Sequence, residues 1–220
     1  MNASLAERLK TETRALHTSA ERSTFMAELL HGRMERPAYC AMLRNLHAIY
    51  AVLEPALERH ARHPLIAPVF LPALWRTRAL EHDLRALHGA DWADALALQP
   101  AALAYVARLR ELDASQPGLL LAHAYVRYLG DLSGGQMLRR IVANSATLDG
   151  AAGVAFYDFG DALATRELTH RFRDGLEAAP ADDRLVSALV EEARLAFQWH
   201  QHLFDELARQ ARSGQMDGGA

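Results

Sequence analysis

His17 is the first residue in the chain whose type and surroundings could do chemistry. Lys10, Arg14, His17 and Glu21 are spaced four, three and four, so on a helix they share one face. A carboxylate one turn after an imidazole can hydrogen-bond one ring nitrogen, directly or through water. That fixes the tautomer and leaves the other nitrogen with a free lone pair for a metal. Lys10 lies two turns back, roughly 10 Å along the axis, where a cation could meet a carboxylate at the edge of a ligand. The plainer alternative is a packed histidine beside an i,i+4 surface pair worth about 0.2–0.5 kcal/mol.

The second chemical stretch is Tyr125-Val-Arg-Tyr-Leu-Gly-Asp-Leu-Ser-Gly-Gly-Gln-Met-Leu138. Leu121, Tyr125, Tyr128 and Leu132 carry a helical period. Gly130, Gly134 and Gly135 nevertheless sit inside it, and each interior glycine costs roughly 1 kcal/mol against alanine. Gly130 and Gly134 are one turn apart, and Asp131 lies about 100° round from Gly130. A helix strip without side chains, with one carboxylate beside it, lets something flat lie on the backbone. A kink or a close helix–helix contact is the competing account.

Other matches carry less. Leu132-Ser-Gly-Gly-Gln136 spells the signature pentapeptide of ABC transporter ATPases, but no Gly-x-x-x-x-Gly-Lys-Ser/Thr loop accompanies it. Glu28-x-x-His31 and Glu167-x-x-His170 match halves of a di-iron carboxylate site, which also requires glutamates from two further helices. His200-x-His202 is poor spacing for two ligands on one helix.

The elements that must position these residues read as helices almost throughout. They are expected at roughly 4–22, then a short helix capped by Ser23-Thr24 and ended by Gly32. A third runs from Pro37 to Arg59 with the stripe Tyr39, Leu43, Leu46, Tyr50, Leu53, Leu57 and with Pro55 in its last turns. After a loop broken by Pro64, Pro68 and Pro72, helices follow at 73–88, closed by Gly89, and from Pro100 to Asp113. The glycine-bearing helix follows Pro117, an irregular stretch covers 147–160, and the last two helices span 161–178 and 182–211 around Pro180. This predicts an all-α, single-domain bundle of seven to nine helices over 1–212, with a flexible tail at 213–220.

At 220 residues and 50% hydrophobic, the chain can bury a substantial core. A net charge of −3 gives no bulk reason for nucleic acid or a membrane surface as partner. Cys40 is the single cysteine, which rules out an intramolecular disulfide and a cysteine metal cluster. There is no signal-peptide pattern at the N-terminus and no apolar run of about 18 residues, so a cytoplasmic location is expected.

Taken together, Lys10-x-x-x-x-x-Leu-His17-Thr-x-Ala-Glu21 and Arg127-Tyr-Leu-Gly-Asp-Leu-Ser-Gly-Gly-Gln136 resemble the biliverdin-producing haem oxygenases, the mammalian-type family in a soluble bacterial form. The resemblance runs from Leu5 to Leu207 and includes Phe25-Met26, Ile49-Tyr50, His123-Ala-Tyr125 and Leu203-Phe204-x-Glu206-Leu207.

What the resemblance implies is haem b held between two helices as both cofactor and substrate. His17 would be the iron ligand and Glu21 its hydrogen-bonding partner. Gly130 and Gly134 would let the helix backbone lie on the porphyrin, and Asp131 would anchor a water network over it. Lys10 and Tyr125 would meet the haem edge. A propionate clamp is expected from the helix at 161–178, where the register admits His170 or Arg171, with Arg171 preferred for its guanidinium and Arg166 one turn back. His200 stands where some relatives carry a polar amide. The implied reaction consumes O2 and electrons and yields biliverdin, CO and ferrous iron. The chain has no nucleotide or flavin fingerprint, so a ferredoxin, flavodoxin or reductase would supply the electrons, with Lys10 and Arg14 near its docking face.

Overall fold

The computed structural model describes residues 4–148 and 153–217. Residues 149–152 of the expected irregular stretch and 218–220 of the expected tail lie outside the described residues. Among those described there is no strand, and nine helices form one all-α bundle. They are α1 (Leu5–Glu21), α2 (Thr24–Leu30), α3 (Arg36–Arg59), α4 (Thr77–Leu87), α5 (Trp92–Ala95) and α6 (Pro100–Ser115). Then come α7, α8 (Ala162–Ala178) and α9 (Asp183–Asp217). α7 consists of Leu120–Ala124 and Gly130–Ala143 joined by one π-type turn, Tyr125–Leu129.

Local chemistry explains most of the boundaries. Ser4, Ser23 and Asp161 cap α1, α2 and α8 by accepting from the amides of Glu7, Met26 and Ala164. Gly32 and Gly89 close α2 and α4 at φ +65° and +115°, a region other residues enter only with strain. The apolar stripe of α3 is buried along its whole length, from Tyr39 to Leu57, and the helix continues through Pro55.

Four features depart from the periodic reading. A short unexpected helix, α5, stands before Pro100, and α9 stays helical to Asp217 and so into the expected tail at 213–220. The other two are the start of α4 and a π turn. α4 begins at Thr77 and not at 73, because buried Glu54 of α3 accepts from the amides of Arg76 and Thr77 and from the Thr77 hydroxyl. A cap borrowed from another helix has no local signature. The π turn adds a residue to one turn of α7. It divides the expected stripe, so that Tyr128 and Leu132 enter the core while Tyr125 stays half-buried.

Behind α7 lies the segment 153–160. Asp83 of α4 accepts from the amides of Ala155 and Phe156, and Arg76 donates to the carbonyls of Phe156 and Asp158. α1 packs along α9, and α8 closes against α1 and the 3-10 turn Ala67–Val69. An open cleft remains between α1 and the π turn of α7.

Candidate active site

The cleft has a volume of about 810 Å³. Lys10, Thr13, Arg14 and His17 line it from α1, Tyr125, Leu129 and Gly130 from α7, and Arg173 and Leu176 from α8. Two stretches more than a hundred residues apart in sequence therefore face each other. His17 is exposed, with its Nδ1 3.5 Å from Glu21 Oε2 and its ring edge-on to Phe197. Glu21 thus approaches the ring on its Nδ1 side.

The glycines of the opposite wall differ in their surroundings. A Cβ built on Gly130 would meet nothing within 4 Å, and one on Gly134 only Leu138 of its own helix, at 3.8 Å. Gly135 faces away from the cleft, with Tyr157 O 3.6 Å from where its Cβ would stand. An added methyl would make only ordinary contacts at Gly134 and Gly135 and none at Gly130, so close packing demands none of the three glycines. Gly130 presents bare backbone to open space.

Asp131, one residue on, is buried behind that wall. Its carboxylate accepts from Tyr50 Oη and, at 2.8 Å, from Arg127 Nη2. Arg127 Nε donates to Tyr50 Oη at 3.1 Å, and its Nη1 lies 3.1 Å from His200 Nε2. Burial pushes the Asp131 carboxyl above the ordinary aspartate range, with Arg127 and Tyr50 pulling against it. The group therefore takes up a proton more readily than a surface aspartate.

A second buried chain stands behind the first. Tyr105 Oη lies 3.0 Å from His123 Nδ1, His123 Nε2 lies 3.0 Å from Glu192 Oε1, and Arg108 donates both prongs to Glu192. Burial would raise Glu192, but hydrogen bonds from His123 and Arg108 bring it down to about 2. Burial lowers His123, so its neutral ring donates from Nε2 and accepts the Tyr105 hydroxyl at Nδ1.

With this geometry in view, likeness to known proteins decides the family. The Heme oxygenase family model matches residues 3–206. Heme oxygenase 1 of Nostoc is 37% identical over 207 residues, 94% of this chain and 87% of that protein. The chain belongs to the haem oxygenase family. Human heme oxygenase 1 is also 37% identical, over 92% of this chain and 71% of its own. Among solved structures, Synechocystis heme oxygenase-2, in complex with heme and NO, superposes with a TM-score of 0.90 at 35% identity, covering 96% of this chain and 88% of that one.

As a haem oxygenase-family protein, the chain brings His17, Lys10, Tyr125 and Gly130 to one cleft, with Asp131 directly behind it. Glu21 and Gly134 are not among the residues lining that cleft, and neither are Arg166, His170 and Arg171, which are exposed on α8. Arg173 lines it instead. The reason is rotational. Gly175 seats α8 on the Pro68 carbonyl, where an added Cβ would stand 2.2 Å from the oxygen. Arg171 lies one turn back on that flank, and Arg173, Leu176 and Glu177 occupy the flank facing α1.

Tyr50, Arg127, Tyr105, His123 and Glu192 have no role in the sequence reading. Tyr50 appears there in the α3 stripe and in a matching motif, and His123 and Arg127 only as members of matching motifs. The di-iron halves do not assemble: Glu28 pairs with Arg33 at 2.8 Å and His31 Nδ1 meets the Ala27 carbonyl at 2.6 Å. No group of three His, Cys, Asp or Glu side chains among the described residues could hold a metal ion. None of the described helices is long and apolar enough to cross a membrane.

Proposed function

We propose that this chain binds haem b in the α1–α7 cleft as cofactor and substrate. It cleaves haem to biliverdin with release of carbon monoxide and ferrous iron, using O2 and electrons from a separate redox protein. The observation that carries the reading is His17 and bare Gly130 lining one cleft, with the Asp131 carboxylate buried beside the glycine. The haem-bound relative supports it. The donor set also fits an iron porphyrin with two propionates: one imidazole, apolar walls at Val126, Leu129 and Phe197, and cations at Lys10 and Arg173.

In this reading His17 offers Nε2 to the iron, and Glu21 holds the Nδ1 hydrogen and the ring orientation. Lys10 and Arg173 pair with propionates, the guanidinium with two parallel hydrogen bonds. Gly130 and Gly134 let the porphyrin face approach the helix backbone. Bound haem supplies the iron at which O2 is reduced and the ring that is opened. A neutral imidazole lacks the strong electron push of a thiolate, which favours O–O cleavage. Asp131 is held by Tyr50 and Arg127 on the far side of the backbone wall. From there it can take up and return a proton through water without itself reaching the iron. Lys10 and Arg14 stand at the cleft mouth, where an acidic ferredoxin or flavodoxin, or a reductase, could deliver electrons.

The test is to add haem to the purified protein and supply ascorbate, or ferredoxin with its reductase, in air with catalase present. Soret loss with a rising biliverdin band and carbon monoxide release is expected. Asp131→Ala should abolish or divert the reaction while haem still binds, and His17→Ala should weaken haem binding. A Soret band that persists under efficient reduction would instead indicate a protein that carries haem without degrading it.

A further inference from the structure

His200 on α9 is 3% exposed and takes no part in the reading above. Its ring stands edge-on to Tyr105 at a centroid distance of 5.3 Å, and its Nε2 lies 3.1 Å from Arg127 Nη1. A guanidinium has five donors, no acceptor and no accessible deprotonated form. The imidazole must therefore accept, so Nε2 carries the lone pair, Nδ1 carries the hydrogen, and the ring is neutral. That Nδ1–H is buried and without a partner among the described residues. Packing alone does not favour a buried donor left unsatisfied, which calls for a reason to keep this ring.

The reason lies in the Arg127 fork. Its three directions are each assigned: Nε to Tyr50, Nη2 to Asp131 and Nη1 to His200. The fork is planar and rigid, so anchoring one prong sets the other two. We propose that His200 is a positioning residue, a neutral acceptor that locks the Arg127 fork onto Asp131 and Tyr50. Its protonation puts two donors face to face and unlocks the fork, which makes the hold on the Asp131 carboxylate acid-sensitive. The consequence for turnover rests on the haem-cleaving function proposed above; the lock itself does not.

The groups around the ring agree. Arg127 faces it from the π turn, Tyr105 from α6 and His123 from α7, with Phe204 on its own helix. The buried carboxylates of the region are already taken, Glu192 by His123 and Arg108, and Asp131 by Arg127 and Tyr50. Burial first, then Arg127 and His123, push the His200 ring well below the ordinary histidine value. Above an unfolded-state pKa of about 6.5 both states are neutral. As pH falls below that value, the unfolded chain binds a proton that the folded ring refuses, so stability declines toward acid.

Nitrogen-15 histidine NMR of the haem-free protein, assigned by the resonance missing in His200→Gln, tests the lock directly. An Nδ1–H tautomer that persists at least a unit below the ordinary histidine pKa of about 6.5 is expected. In denaturant titrations below pH ~6.5, the wild-type folding constant should fall up to ~10-fold more per pH unit than that of His200→Gln. In haem turnover His200→Gln, whose amide oxygen still accepts from Arg127, should lose the acid-side step that the wild type shows. His200→Phe, a ring without an acceptor, should lose roughly 10- to 100-fold while still binding haem. An Nε2–H resonance, titration at the ordinary value, or wild-type turnover by a folded His200→Phe overturns the proposal. Failure of the wild type to consume haem would sink the functional reading alone and leave the NMR and stability tests of the lock intact.

Discussion

On the α1 wall of the cleft, the His17 and Glu21 side chains stand 46% and 61% exposed and meet at 3.5 Å. On and behind the α7 wall, Asp131 and Arg127 of α7 and Tyr50 of α3 are buried and joined by hydrogen bonds that continue to His200. The exposed pair can change with little effect on the fold, because water solvates whatever replaces it. The buried set cannot, because each member desolvates its neighbours and must also satisfy them. One wall is thus little constrained by the fold and the other is fixed by it. Substitutions on the two walls should therefore separate stability from binding.

The largest effect is expected from Arg127→Leu, which leaves Asp131 buried without its cation. A loss of roughly 3–5 kcal/mol by urea unfolding of the haem-free protein is predicted, and a value near zero would erase the contrast between the walls. Next comes acid. Glu192 is held at about 2, below its unfolded value, so its contribution is fully present above about pH 4.5 and is lost as pH falls toward 2. The stake is on the order of 3 kcal/mol, readable as an acid-unfolding step that Glu192→Gln flattens.

Helical glycines sharpen the comparison at smaller scale. Gly175→Ala forces a Cβ onto the Pro68 carbonyl and should cost about 1–3 kcal/mol in thermal or urea unfolding. Gly130→Ala enters open space and should instead stabilise the haem-free protein by about 0.5–1 kcal/mol, while weakening haem binding in a Soret titration. Smallest of all, His17→Ala should leave haem-free stability within about 0.5 kcal/mol of wild type. A substantial loss there would mean that His17 supports the fold after all.

Much of this architecture is readable before any coordinates. The α3 stripe from Tyr39 to Leu57, the cap at Ser23 and the stops at Gly32 and Gly89 all follow from interactions within one turn of chain. So does the unusual density of glycine beside Asp131, since the cost of interior glycine is local. The start of α4 is not readable, because its cap is Glu54, which lies 22 residues back. The role of Tyr50 is hidden for the same reason, with Asp131 81 residues away.

The arginine that lines the cleft shows the limit most clearly. Thr165, Leu168, Phe172 and Leu176 mark the buried stripe of α8, and the period places Arg171 and Arg173 on its two flanks. Both are arginines on the border of one helix face, and nothing nearby in sequence separates them. Contact of Gly175 with Pro68 turns one flank to the 3-10 turn and leaves Arg173 beside α1.

By itself, then, the sequence determined most of the helices and their local caps and stops, because backbone hydrogen bonds and side-chain periods act within a few residues. The pairing of an imidazole with a bare helix strip followed only from the family resemblance. Only the tertiary structure decided how each helix is rotated against its neighbours. It thereby decided that Arg173 faces the cleft, that the fork of Arg127 meets His200, and that Gly130 lines the cleft while Gly135 faces away from it. Those outcomes come from steric contacts between segments far apart in the chain, and no local period encodes them.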